Sequence, residues 1–156
     1  MGAFHRILMA TDFSPVSDAA LEEAARIARE SGARLYVVYA YEVPAGGSYV
    51  PASGYLASIA ATRMEAEQKM QDLMARDSMR GVEARPVILK GPADVSILET
   101  AVREKVDMIV MGTHGRRGAA RLLLGSVAER VIAAARCPVL TIRTPPPREI
   151  AATSAA

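Results

Sequence analysis

The chain has little of what disulfide, metal or membrane chemistry requires. One cysteine, Cys137, excludes an intrachain disulfide. It lies in ARCPVLTI, at the entrance to an apolar strand with no base-like neighbour in sequence, and reads as a small core residue. Two histidines, His5 and His114, with no cysteine cluster, offer no transition-metal site. No apolar run approaches the ~18 residues of a membrane span, and MGAFHRILMATD lacks the charged and long apolar regions of a signal peptide. No membrane association and a cytoplasmic location are therefore expected. Acids and bases nearly balance, at 17 and 19, and the bases are scattered, so nucleic acid is not implied. The sequence also has no GK[ST] P-loop, no GxGxxG after the first strand, no GxSxG nucleophile elbow and no internal repeat.

What is present suits one domain. At 156 residues and 51% hydrophobic content the chain can bury a core. HRILMA, residues 5 to 10, reads as a buried strand. Ser14 is a natural N-cap and Pro15 suits the first helical position; Leu21, Ala24, Ala25, Ile27 and Ala28 follow helical spacing until Gly32 stops the helix. RLYVVYAY, residues 34 to 41, is apolar on both faces, as in a covered parallel strand. Val43 to Tyr55, rich in Pro, Gly and Ser, reads as a long loop.

From Leu56 to Arg80 the spacing predicts a helix, with Leu56, Ile59, Ala60, Met70, Leu73 and Met74 on one stripe, ended by Gly81. Its methionines, Met64, Met70 and Met74, together with Met79, are expected to pack in the core, a partner-binding face being the alternative. ARPVIL, residues 84 to 89, is a third strand whose Pro86 favours an edge. Gly91-Pro92 opens a helix with Val95, Ile97, Leu98, Ala101 and Val102 as its apolar set. Asp107 to Met111 is a fourth strand. A helix through about Ala135 and the strand Pro138 to Ile142 follow the glycine-bearing segment. The proline-rich tail, 144–156, is expected to be disordered, leaving 1–143 as the domain. This alternation specifies an α/β fold: a five-stranded, mainly parallel, Rossmann-like sheet with helices on both faces.

In such sheets a ligand sits beyond the carboxyl ends of the strands at the topological switch point. Three features fall there: Asp12 after the first strand, Ala40 near the end of the second, and Gly112 after the fourth. The segment MGTHGRRGAARLLLGSVAERVI, Met111 to Ile132, spaces Gly112, Gly115 and Gly125 by two and nine residues, with Ser126 next. Glycine allows positive φ and close backbone approach, and a helix starting near Ser126 would add unpaired N–H donors, so the segment suits a phosphate. Ser126 is explained equally well by a capping box with Glu129. Asp12 alone is a common turn former. The cluster of Arg116, Arg117 and Arg121 can meet phosphate or stay solvated. A triad of Ser126, His114 and Asp12 has no elbow to support it, which leaves His114 as a loop residue near the ligand and no catalytic residue to name.

ILMATDFSPVSDAAL, DMIVMGTHGRRGAARLLLGSVAERVI and CPVLTIR resemble the universal stress protein family. The Gly-x2-Gly-x9-Gly-Ser spacing is that of its ATP-binding members. The resemblance implies an adenine nucleotide alpha hydrolase-like fold. It places Asp12 near the adenosine, the Ala40 backbone at the adenine, and Gly112 and Gly115 along the ribose and phosphates. Gly125, Ser126 and Val127 would bind the phosphates, with Arg116 as a further contact. It implies ATP as ligand, with ADP or AMP as alternatives and Mg²⁺ near Asp12, in a homodimer joined through Pro138 to Ile142. The expected function is nucleotide-dependent signalling with at most slow hydrolysis. The alternatives are an interaction protein with a regulatory or vestigial pocket and an as yet unknown protein partner, or a true ATPase.

Overall fold

The computed structural model describes residues 3–44, 51–114 and 124–143. Strands β1 (Arg6–Ala10), β2 (Arg34–Tyr41), β3 (Ala84–Lys90), β4 (Met108–Gly112) and β5 (Val139–Ile142) form one sheet in the order β3-β2-β1-β4-β5. Every pairing is parallel. Parallel neighbours require crossovers, supplied by α1 (Pro15–Ser31), α2 (Ala52–Met74), α3 (Ala93–Arg103) and α4 (Ser126–Ala134). The strand period of two divides the core. Ile7 and Met9 of β1, with Leu35, Val37, Met108 and Val110, pack under α1 and α2. Leu8 and Ala10, with Tyr36, Val38, Ile109 and Met111, pack under α3 and α4.

The first helix forms as its sequence predicts. Ser14 Oγ accepts from Ser17 N, Pro15 begins the helix, and Gly32 ends it in the left-handed region at φ 70°. Pro86 lies on the edge strand, opposite Val37. Gly91 N donates to Tyr41 O, which sets the alternation and turns the missing N–H of Pro86 outward, where it interrupts no ladder.

The long second helix departs from its sequence reading at both ends. It begins at Ala52, so residues 52–55 of the expected loop are helical, while 45–50 lie outside the described residues. Pro51, at φ −56°, starts it without any apolar periodicity to announce it. It ends at Met74, and a 3₁₀ turn, Asp77–Met79, follows. Tertiary contacts draw the chain out of the helix here: Arg29 donates to Ser78 O at 2.7 Å and Arg80 O at 3.2 Å, and Met79 is buried. Gly81, at φ 73°, therefore turns the chain into β3 instead of stopping the helix.

Burial on α2 begins only at Ala66, so Leu56 stays 64% exposed and the expected stripe is core only in its second half. Met70 and Met79 join the core as expected, but Met64 is 70% exposed. On α3, Ile97 and Ala101 are buried, whereas Val95 and Val102 face outward, their places taken by Ser96 and Thr100. The tail 144–156 lies outside the described residues.

Candidate functional site

The chain runs outward from β1 to β2 and β3, then crosses back to β4 and β5, so the switch point lies between β1 and β4. Asp12 follows β1 in a turn held by its own side chains. Thr11 N donates to Val38 O at 2.9 Å, Phe13 N to Thr11 Oγ1 at 3.0 Å, and Ser14 N to Asp12 Oδ1 at 3.0 Å. Thr11 Oγ1 and Ser17 Oγ lie 3.2 Å apart, and Ser17 Oγ donates to Ser14 O at 2.8 Å. Phe13 sits at φ 61°, a costly conformation for an aromatic residue, which this network imposes. Its ring packs on Tyr39 with centroids 4.6 Å apart. Asp12 thus acts as a turn former, and its half-buried carboxylate is carried to the switch point by the same turn.

Ala40 is positioned by strand register. The β1 ladder stops at Ala10↔Val38, whereas β2 continues against β3 through Tyr41. Val38 O faces β1 and Tyr41 O faces β3, as their bonds from Thr11 and Gly91 show. Alternation then points the N–H and C=O of Ala40 away from β3, above the end of β1. A backbone donor and acceptor side by side can read the edge of a planar base.

Gly112 closes β4 opposite Ile142, and Thr113 and His114 follow. Gly125 N donates to Thr113 O at 2.7 Å, pinning the start of α4 to the end of β4. Neither glycine is left-handed: Gly125 has φ −63°, and Gly112 is not among the positive-φ glycines. Their need for glycine is close approach within the fold. An added Cβ would lie 2.7 Å from Val16 Cγ1 at Gly112, and 2.9 Å from Thr113 O at Gly125.

The capping-box reading of Ser126 is corrected. Gly125 is the N-cap, Ser126 is the first helical residue, and no side chain among the described residues caps α4. Gly125 approaches Thr113 so closely that glycine takes the cap position, and a glycine has no side-chain oxygen to cap with. Helical bonding starts with Glu129 N to Gly125 O at 2.9 Å, so the amides of Ser126, Val127 and Ala128 stand at an uncapped positive helix end. Gly115, Arg116, Arg117 and Arg121 lie outside the described residues.

Thr113 was not singled out by sequence. It is 5% exposed, its N–H donates to Ile142 O at 2.9 Å, its carbonyl holds Gly125, and its Oγ1 lies 3.0 Å from His114 Nδ1. A threonine between a glycine and a histidine carries no signal of such a role.

Cys137 packs beside the α3/α4 core; burial and then the Asp107 charge push its thiol above the usual range. It also lines a hollow of about 600 Å³ with Leu98, Val102 and Val106, at the amino end of the strands and away from the switch point. Among the described residues no His, Cys, Asp and Glu cluster could hold a metal ion, and no helix is long and apolar enough to cross a membrane.

Residues 3–143 match the model of the universal stress protein family. The chain is 38% identical over 148 residues to universal stress protein MJ0531 of Methanocaldococcus jannaschii, covering 91% of this chain and 84% of that one. Among solved structures it resembles hypothetical protein MJ0577, with TM-score 0.81, 26% identity, and 92% and 98% coverage of the two chains. It also resembles the universal stress protein of Archaeoglobus fulgidus in complex with dAMP, with TM-score 0.61, 26% identity, and 91% and 99% coverage. The chain belongs to the universal stress protein family.

Proposed function

We propose that this chain is a cytoplasmic nucleotide-responsive binding protein whose ligand is ATP, with ADP or AMP as alternatives. The uncapped amino end of α4, pinned against β4 by Gly125, carries the reading. Three amides and the helix dipole suit a phosphate chain, and the open backbone pair of Ala40 suits an adenine edge. Asp12 lies between them in sheet order and suits a ribose hydroxyl. The related protein bound to dAMP supports an adenine nucleotide in general. Gly112 and Gly115 would line the ribose and phosphates, Ser126 and Val127 would donate from α4, and Arg116 would add charge. A single carboxylate fits Mg²⁺ held mainly by phosphate and water, with Asp12 orienting that water. Any hydrolysis would be slow.

The two sheet edges support a homodimer joined through Pro138 to Ile142. Pro86 interrupts the β3 edge, whereas β5 has no proline within Val139–Ile142, so a second copy would add there. The exposed Leu56 and Met64 on α2 favour a second reading, an interaction protein whose pocket is regulatory.

Calorimetric titration of nucleotide-free protein with ATP tests the first reading. Binding with preference for ATP over AMP is expected, and no heat at millimolar ATP would defeat it. Partner capture unchanged after Gly125 is replaced by a bulky residue would favour the second.

A further inference from the structure

The hollow beside Cys137 has no part in the nucleotide reading. It lies at the opposite end of the sheet from Asp12 and Gly112, where residues from the carboxyl ends of α3 and α4 and the entrances of β4 and β5 line one space. Its volume of about 600 Å³ is that of a small-molecule site. Leu98, Val102, Val106 and Ala135 make its wall apolar. Val102 stays 58% exposed, so apolar surface is left for an apolar guest to cover.

The charges on the same wall are unbalanced. Arg103, Lys105 and Arg136 line it with a single acid, Glu99. Arg103 is already paired with Glu104 at 3.0 Å. Lys105 and Arg136 have no ion-pair partner among the described residues. Basic residues often follow helix carboxyl ends, where they offset the dipole, but that role needs no apolar space beside them.

Lys105 carries a second sign. Its N–H donates to Val102 O at 3.2 Å and Val106 N to Ala101 O at 2.9 Å, the turn that closes a helix on a left-handed residue, and Lys105 accordingly sits at φ 52°. The equivalent position after α1 is Gly32, at φ 70°, with Ala33 N donating to Ala28 O. Glycine adopts this conformation without strain and lysine does not, so the fold alone is better served by glycine at 105. What lysine adds is a charge on the wall of an apolar hollow.

We infer that this hollow binds an aliphatic carboxylate, its chain against Leu98, Val102, Val106 and Ala135 and its head on Lys105 and Arg136. The inference is independent of the nucleotide reading.

Octanoate is the probe, and Cys137, the chain's one cysteine, is the reporter. Because Cys137 lines the hollow, octanoate should slow its alkylation by neutral iodoacetamide, and the effect should saturate. Octanol, with the same chain and no charge, should bind roughly fivefold more weakly, and octyltrimethylammonium should not protect. Decanoate should bind roughly 3- to 10-fold more tightly than octanoate. In ¹H–¹⁵N spectra of the full chain, octanoate should move the amides of Leu98, Val102, Val106 and Ala135 and leave those of Ala40 and Ser126 in place. Arg136→Gln should weaken octanoate roughly 2- to 5-fold. Lys105→Gly should do the same while leaving the urea midpoint at or above wild type, a combination that a purely structural lysine would not give.

Neither protection nor shifts at millimolar decanoate overturns the inference. Equal protection by octyltrimethylammonium also overturns it, as does full octanoate affinity in the double variant Lys105→Gly, Arg136→Gln. Should that variant fail to fold, the head-group series on wild-type protein decides alone. Protection that needs no ligand and rises with protein concentration would put a second copy over the hollow, and that too overturns the inference.

Discussion

Replacing Gly125 by alanine measures how tightly the end of β4 and the start of α4 are locked. The backbone there, at φ −63° and ψ 151°, is open to any residue, so no conformational penalty arises. Restricting the unfolded chain would even stabilise by about 0.4–1 kcal/mol. Against this, the new Cβ would lie 2.9 Å from Thr113 O and 3.8 Å from Thr113 C. The obstacle is backbone, which no rotamer change can move aside. Thr113 O already accepts from Gly125 N at 2.7 Å, so relief requires a retreat that lengthens this bond. Overpacking costs about 1–3 kcal/mol and the weakened bond up to about 1 kcal/mol, so the net loss is about 1–3 kcal/mol. In a chain of this size that lowers Tm by roughly 2–4 °C per kcal/mol. Urea unfolding followed by circular dichroism should show a lower midpoint with an unchanged slope. Gly81→Ala is the control: nothing lies within 4 Å of its added Cβ, but φ +73° costs about 1 kcal/mol by conformation alone. A Gly125→Ala midpoint at or above wild type would refute the close-approach argument.

Three further outcomes follow from the same contacts. Gly112→Ala places a Cβ 2.7 Å from Cγ1 of Val16, whose branched side chain has one favoured rotamer in a helix. It should cost about 1–3 kcal/mol, most of it recovered in the double variant with Val16→Ala, and strict additivity in a double-mutant cycle would refute the pairing. Ser126→Ala should change stability by less than about 0.5 kcal/mol, because no side chain among the described residues caps α4, whereas a loss near 1 kcal/mol would restore the capping role. Cys137, its thiol pushed up by burial and then by Asp107, forms thiolate only above the ordinary range. Its alkylation rate should therefore keep rising at pH values where a model peptide thiol has levelled off, and a profile matching the peptide would contradict the placement.

The fold was legible wherever local chemistry and tertiary contacts agreed. Ser14, Pro15 and Gly32 bound the first helix as caps do, and β2 is the run Arg34–Tyr41 in both readings. The misreadings fall where a distant group decides. Nothing in the stretch around Ser78 shows that Arg29 will take its carbonyls and end the helix at Met74. The stripe on α2 has helical spacing throughout, but spacing cannot tell where along a helix burial begins, here at Ala66. Hence Leu56 and Met64 look like core residues and are not.

At the site, the glycine spacing was visible but its physical reason was not. Sequence suggests backbone that bends around a ligand; the structure shows Gly112 making room for Val16 and Gly125 for the Thr113 carbonyl. These glycines build the site by letting α1 and α4 approach the strand ends, so a loss of affinity in a glycine variant does not by itself place a phosphate there. The discriminating quantity is the ratio of ATP to adenosine affinity. If the proposed site holds ATP, a shift of α4 away from Thr113 would displace the amides of Ser126 and Val127 and weaken ATP alone. Loosening of α1 against Gly112 would disturb the turn that carries Asp12 and weaken both ligands. Gly125→Ala should therefore change the ratio, while Gly112→Ala should lower both affinities together.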